Sequence, residues 1–398
     1  MRTTSFLGLI LMLVLVVLAS CQPPPIEPTS PSGAAPSTTT PTIPGVDEYH
    51  ALLTADASIP SVPPQVLRST ESAALLGAGA SLCITERQTF SQVDASPQPI
   101  SALAIHILES LGYRPLSTPD AQDCDARLNV QLDFQPLSEK YAPTTGGQMM
   151  TCYTGAKASG KATLTTPAGA AEQYDLGWTY GPYTGLLAVI DTCPGPEGAP
   201  FEDAMTWALL DGMTQILGKR VLVSLLSDPD ADLRARAATL MGSRKLAEAE
   251  DLPGLVQLLE DQDAGVRQSA VVAIGSMGMS AEAAFSHLVS LLQDPELHVR
   301  VAAIDSLQKV GPANPDLVPA MIGALNDPEG IIRQRAVYVL DSLGPEALEA
   351  VPALLELFEN HPEDSYIIGT ALESISGRKL GFELETWKTW WAERNQQP

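Results

Sequence analysis

The sequence predicts a multidomain chain in which a small antiparallel α/β sandwich of the α+β class precedes an all-α solenoid of stacked helix pairs. Two observations carry this. First, arginine recurs at Arg234, Arg267, Arg300 and Arg333, and alanine at Ala237, Ala270, Ala303 and Ala336, in constant register. Units repeated at a fixed period of this length bury their apolar faces against one another. Second, the stretch before the repeats alternates strand-like and helix-like hydrophobic periods, the pattern of a sheet backed by helices.

The elements follow in chain order. Residues 1–20 read as a secretory signal: Arg2 is the positive start, Phe6 to Leu18 the apolar core, and Leu18-Ala19-Ser20-Cys21 the cleavage site. That core is shorter than the roughly 20 residues a membrane-spanning helix needs. Leu18-Ala19-Ser20-Cys21 resembles the bacterial lipobox, which implies that Cys21 becomes a lipidated N-terminal residue. An ordinary secreted protein, cut nearby with Cys21 incidental, is the competing reading. Gln22 rather than aspartate follows the cysteine; under the usual sorting rule of two-membrane bacteria the resemblance then implies the outer membrane. In a single-membrane bacterium the protein would face outward, so the leaflet stays open. Residues 21–45 are Pro, Ser and Thr with almost no large apolar side chain, a composition expected to form a semi-extended tether.

Residues 46–220 read as the α+β part. A strand is expected around Ser81 to Thr85, and then a helix opening at Pro99-Ile100 and stopping at Gly112, with Leu103, Ile107 and Leu111 at helical spacing. Leu128, Val130, Leu132 and Phe134 alternate in a half-buried strand over Ala126 to Phe134. Residues 151–166 and 172–183 form a hairpin about Pro167-Ala168-Gly169, and Phe201 to about Ser227 reads as one long helix joining the two domains. In element order alone this part loosely resembles small envelope lipoprotein domains that assist lipopolysaccharide export or activate cell-wall synthases. After Cys21, four cysteines remain (Cys83, Cys124, Cys152 and Cys193), all in this part. An even count in an exported chain favours two disulfides over metal binding, since no C-x-x-C pair occurs. Three pairings are possible; the strand reading favours Cys83 with Cys124 and Cys152 with Cys193.

Residues 221–377 hold the repeats. Each unit has an acidic turn (Asp228-Pro229-Asp230, Asp261-Gln262-Asp263, Asp294-Pro295-Glu296 and Asp327-Pro328-Glu329), with a helix such as Gly265 to Gly275 after it and a leucine-rich one such as Pro253 to Glu260 before it. Asp or Glu is expected to cap each helix start, with proline at the first helical position. Leu233, Val266, Val299 and Ile332 match down the copies, as do Leu226, Leu259, Leu292 and Leu325. The pattern D-x-D-x-x-V-R-x-x-A-x-x-x-L resembles HEAT repeats, in particular the short bacterial kind of the phycobilin lyases. That resemblance implies a superhelix of antiparallel helix pairs with a protein-binding concave face. It also implies an internal polar ladder through Arg234, Arg267, Arg300 and Arg333; a solvent-facing basic stripe is the alternative. A fifth unit departs from the pattern, with Tyr366 in the arginine position and Gly369 in the alanine position. Residues 378–398 carry Trp387, Trp390 and Trp391 on one helical face, expected to cap the exposed end of the stack, or else to offer an aromatic platform to sugar or peptide.

The formal charge of −24, with 47 acids against 23 lysines and arginines, argues against nucleic acid as a partner and against lying flat on anionic lipid. Catalytic motifs are not found. His50, His106, His287, His298 and His361 lack zinc-ligand spacing, and Gly77-Ala78-Gly79 lacks the rest of a nucleotide-binding signature. No G-x-S-x-G occurs. The expectation is therefore a lipid-anchored cell-envelope scaffold without catalytic residues, cofactor or metal. It would bind protein through its solenoid and touch membrane only through its N-terminal lipid, its oligomeric state open. Two readings compete: an envelope-assembly accessory whose α+β domain binds lipid, glycan or a cell-wall enzyme, and a chromophore-lyase-like enzyme, against which the export signal speaks.

Overall fold

The computed structural model describes residues 80–90, 100–116, 124–141, 150–166, 169, 171–180 and 199–395. Cys21, the tether and Cys193 lie outside them. Among the described residues no helix is long and apolar enough to cross a membrane.

The first part is a five-stranded sheet with two helices. In chain order the elements are β1 (Ser81–Phe90), α1 (Ile100–Ser110), β2 (Arg114–Leu116), β3 (Ala126–Tyr141), β4 (Met150–Thr165), β5 (Ala171–Tyr180) and α2 (Ala199–Leu217). The sheet order is β2-β1-β3-β4-β5. The expected antiparallel sandwich is corrected here to a mixed sheet, because β1 runs parallel to both β2 and β3, and only β3-β4-β5 is antiparallel. Helix α1 crosses over between β1 and the next strands, which returns the chain in the same direction, as parallel pairing requires. The short β2 has too few residues to show a period, so the alternation of hydrophobic residues did not reveal it.

Along β3, Ala126, Leu128, Val130, Leu132 and Phe134 are buried, whereas Arg127, Asn129, Gln131 and Gln135 are exposed. The period of two thus assigns one face to the core. Against it lie Ala104, Ile107 and Leu108 of α1 and Leu209, Leu210, Met213 and Ile216 of α2. Gly160 of β4 lies so close to β3 that an added Cβ would stand 1.9 Å from the Gln131 carbonyl oxygen.

The expected helix from Phe201 to Ser227 is two helices. Gly218, at φ +81°, ends α2 with its N–H bonded to the Thr214 carbonyl, and α3 (Arg220–Leu225) begins two residues later. A left-handed glycine is a common helix stop. From Leu209 to Thr214 every residue of α2 is buried, because the sheet covers one side and the first repeat the other. Arg244 reaches back to Asp211 at 3.0 Å, and the Arg236 guanidinium lies 4.9 Å from the Trp207 ring centre. Burial raises the Asp211 pKa, with partial relief from Arg244 and Gln215.

The repeats alternate short and long helices: α4 (Ala231–Ser243), α5 (Leu252–Leu258), α6 (Ala264–Met277), α7 (Phe285–Ser290), α8 (Leu297–Val310), α9 (Leu317–Ala324), α10 (Gly330–Leu343), α11 (Val351–Asn360) and α12 (Ser365–Ser376). Helix α13 (Leu384–Arg394) follows. The long helices α4, α6, α8, α10 and α12 stack side by side as one layer. Their columns are small: Ala237, Ala270, Ala303 and Ala336 are fully buried, and at Gly242 an added Cβ would sit 2.9 Å from the Ala273 Cα. The short helices present a bulkier column of Leu255, Leu288, Met321 and Leu354, all fully buried. One hydrophobic core runs from the sheet to Trp387.

Helix starts differ in one respect from expectation. Asp230 and Asp263 accept bonds from helix-start amides, but Glu296 and Glu329 do not. Pro229, Pro295 and Pro328 precede the cap rather than opening the helix. The longer glutamate side chain overshoots the amide that aspartate reaches.

Candidate functional site

The feature that sets the repeat geometry is a chain of ion pairs along the acidic turns. Each repeat arginine does two things. Its Nη1 donates to the carbonyls of its own turn: Arg267 to Asp261 (2.9 Å) and Gln262 (3.2 Å), and likewise Arg234, Arg300 and Arg333 to theirs. In Arg234, Arg267 and Arg300 the other edge takes the first aspartate of the next turn. Arg234 meets Asp261 at 2.8 and 2.9 Å, Arg267 meets Asp294 at 2.7 and 2.8 Å, and Arg300 meets Asp327 at 2.9 and 3.3 Å. The same aspartates accept the backbone N–H two residues on, which shapes the turn. A planar fork facing a carboxylate fixes distance and angle together.

Electrostatics follow from the geometry. For Asp261 and Asp294 burial pushes the carboxyl pKa up, but the arginine fork and the turn amide outweigh it and hold both below the ordinary value. Arg234 and Arg267 are raised, chiefly by the hydrogen bonds to Asp261 and Asp294.

The ends of the ladder are finished by different chemistry. At the first turn, buried Asp228 has no preceding repeat arginine; His106 of α1 bonds it instead, Nε2 to Oδ2, at 2.5 Å. Around that bond, Ser110 Oγ meets Ser224 Oγ at 3.1 Å, and Arg220 donates to the Tyr113 hydroxyl. In the sequence His106 has no zinc-ligand spacing, and its place on α1 gives no sign of a partner 122 residues away. At the last turn Asn360 stands where an aspartate would, and the Arg333 fork reaches His361 at 3.4 Å.

The Trp-bearing segment closes the far end. Trp387 is fully buried, with Nε1 donating to the Gly381 carbonyl at 2.7 Å, and Trp390 packs edge-on to it at 5.6 Å between ring centres. Trp390 and Trp391 are half-buried. Tyr366, in the arginine position of the fifth unit, stacks on Phe382 at 5.1 Å, and Phe382 occupies the space beside Gly369, 2.5 Å from where a Cβ would stand. The two departures of the fifth unit are thus one feature: the arginine and alanine give way to let the returning chain lie on α12.

A disulfide joins Cys83 of β1 to Cys124 just before β3, with Cα atoms 5.8 Å apart. Cys152 falls in β4; the Cys152–Cys193 pairing lies outside the described residues. Among the described residues one carboxylate cluster has metal-like spacing, Glu248, Glu250 and Asp251. The Lys219 ammonium stands among them, 2.7 Å from Glu250 and 3.1 Å from Asp251, and also bonds Glu248. Burial disfavours that ammonium, but the three hydrogen bonds outweigh it and raise its pKa.

The open surface of the long-helix layer carries a second set of ties between units. Thr239 bonds Ser269 (3.1 Å), the Arg335 guanidinium takes Asp305 (2.6 and 2.8 Å), and Gln334 bonds Asp364 (3.0 Å). Val272 and Tyr338, 46 and 50 % exposed, occupy the same position two units apart.

Tandem antiparallel helix pairs with a shared core and an inter-unit ladder define an α-solenoid scaffold. A family model described as HEAT repeats matches residues 220–308 and 285–376, so the C-terminal region of this chain carries HEAT repeats. Among solved structures, a designed armadillo repeat protein in complex with the peptide (KR)4 is similar at 21 % identity and TM-score 0.33, over 42 % of this chain and 85 % of that one. A computationally designed armadillo repeat protein for modular peptide recognition is similar at 22 % identity and TM-score 0.34, over the same shares. An engineered protein matches at 18 % identity and TM-score 0.34, over 45 % of this chain and 88 % of that one. No curated protein matches.

Proposed function

We propose that this chain is a non-catalytic, protein-binding scaffold that docks an extended partner on the exposed face of its long-helix layer. The observation that carries this reading is the difference between the two helix layers. Glycine and alanine bring the long helices into near backbone contact, while successive short helices approach one another less closely. A stack that is tight on one side and wide on the other bends toward the tight side, which makes the long-helix face the inner one. The ladder holds that face at a fixed repeat, and Val272 and Tyr338 offer apolar footholds two units apart, with Asp305 at the same position between them. Rigid presentation lowers the ordering cost of binding a partner. The α+β part would serve as the N-terminal cap, through His106 and α2. The chain would work outside the cytoplasm, held by lipid on Cys21.

The test is a photo-crosslinking amino acid placed singly at Val272, Tyr338, Gln257 and His287 of the full chain in its native host. Adducts with a defined protein at positions 272 and 338, and none at 257 and 287 on the short-helix layer, support the reading. Equal labelling of both layers refutes it. Palmitate labelling lost in Cys21→Ser tests the anchor; label retained in that variant removes it from the proposal.

A further inference from the structure

Among the described residues, the second face of the sheet is polar and rich in cations. Its opposite face is the core, under α1 and α2, so this face is covered by neither helix. Strand register lines its side chains in rows. Thr85, Asn129, Thr163 and Gln173 form one row; Arg87, Gln131, Lys161 and Asp175 form the next. The Arg127 row ends in buried Cys83 and the exposed Leu116 on β1 and β2; between that row and the Gln135 row the described side chains are hydroxyl, amide, charged or very small, with no aromatic ring. The charge balance is also inverted. Arg87, Arg127, Lys157 and Lys161 are exposed here, against the two carboxylates of Asp133 and Asp175, in a chain whose acids outnumber its lysines and arginines 47 to 23. Asp133 is in turn occupied by Thr89 Oγ1 (3.0 Å) and Gln135 Nε2 (3.4 Å).

The layout selects the ligand. Arg127 lies four residues from Gln131, and Lys157 four from its partner Lys161, so cations recur about every 13 Å along the strands. Arg87 and Lys161 stand two strands apart, about 10 Å. One phosphate could not meet charges so spread; a linear polyanion could. Duplex nucleic acid carries a charge about every 1.7 Å, far denser than this face answers. A peptide strand would find no main-chain partners, since those lie at sheet edges, not on a face. The hydroxyl and amide groups between the cations instead match a polymer dense in hydroxyls. We propose that the open face of the β-sheet binds a linear, carboxylate-bearing polysaccharide laid along β3 and β4. This is independent of the docking surface on the repeats.

The experiment measures binding of fluorescently labelled polygalacturonate to the full chain by anisotropy, at low and moderate salt. Binding is expected to weaken steeply with salt and to fall at least tenfold in Arg127→Glu/Lys161→Glu. Neutral dextran should not compete. Should that pair impair folding, as judged by its melting temperature, Arg87→Gln/Lys157→Gln is expected to give a loss of several-fold in its place. No binding, or binding unchanged in the folded variants, overturns the proposal. Poly-glutamate or a single-stranded oligonucleotide binding as tightly as the polyuronate overturns it too, since the face would then read charge alone.

Discussion

Replacing Arg267 with methionine tests whether the ladder holds the units together. In the native structure its guanidinium spans 2.7 and 2.8 Å to Asp294 and also donates to the Asp261 and Gln262 carbonyls. Methionine keeps the apolar stem but strands Asp294, whose side chain is 3 % exposed and retains only the Glu296 amide among the bonds described. Breaking a buried pair by deleting one partner costs about 3–5 kcal/mol. Arg333 supplies the comparison. It makes the same bonds to its own turn but faces His361 rather than an aspartate, so Arg333→Met strands no buried carboxylate. Its loss should cost about 1.5–3 kcal/mol, the scale of hydrogen bonds to charged groups alone. The difference of about 2 kcal/mol between the two variants isolates the stranded charge. Arg267→Met/Asp294→Asn should recover part of it, since asparagine can still accept the Glu296 amide while carrying no charge. Urea unfolding followed by far-ultraviolet circular dichroism gives these values, provided the slope with denaturant stays constant. Equal costs for the two arginines, or a double variant no better than Arg267→Met, would refute the reasoning.

The ladder also sets an acid limit. Asp261 and Asp294 are held below the ordinary carboxyl range, so their contribution is complete above the unfolded value near about 4 and drains as pH falls through the lower folded values. Urea midpoints should therefore drop below about pH 4, and drop less in Arg267→Met. Trp387→Ala should cost about 3–5 kcal/mol, because it empties a fully buried site and orphans the Gly381 carbonyl; an unchanged melting temperature would show that α13 is dispensable. Reducing the Cys83–Cys124 bond opens a loop of 41 residues and should cost about 4 kcal/mol, read as the shift in urea midpoint with reductant and absent in Cys83→Ser/Cys124→Ser. Gly369→Ala should loosen the C-terminal end by displacing Phe382, seen as faster proteolysis near residue 382 with the first four units unaffected.

By itself the sequence determined the repeat array and the local character of most elements. Both are local properties: a constant spacing of arginine and alanine survives in one dimension, and burial on one face leaves a period of two or 3.6 in the chain. It did not determine strand direction, which depends on where α1 delivers the chain, nor the break at Gly218, which one left-handed residue makes. The partners of His106, Tyr366 and Gly369 belonged to the tertiary structure alone. Each meets a group brought alongside by folding, Asp228 for the histidine and Phe382 for the other two, and such encounters leave no period to read. The inverted charge of the open sheet face has the same origin: Arg87, Arg127 and the Lys157–Lys161 pair lie far apart along the chain, and strand register brings them onto one face.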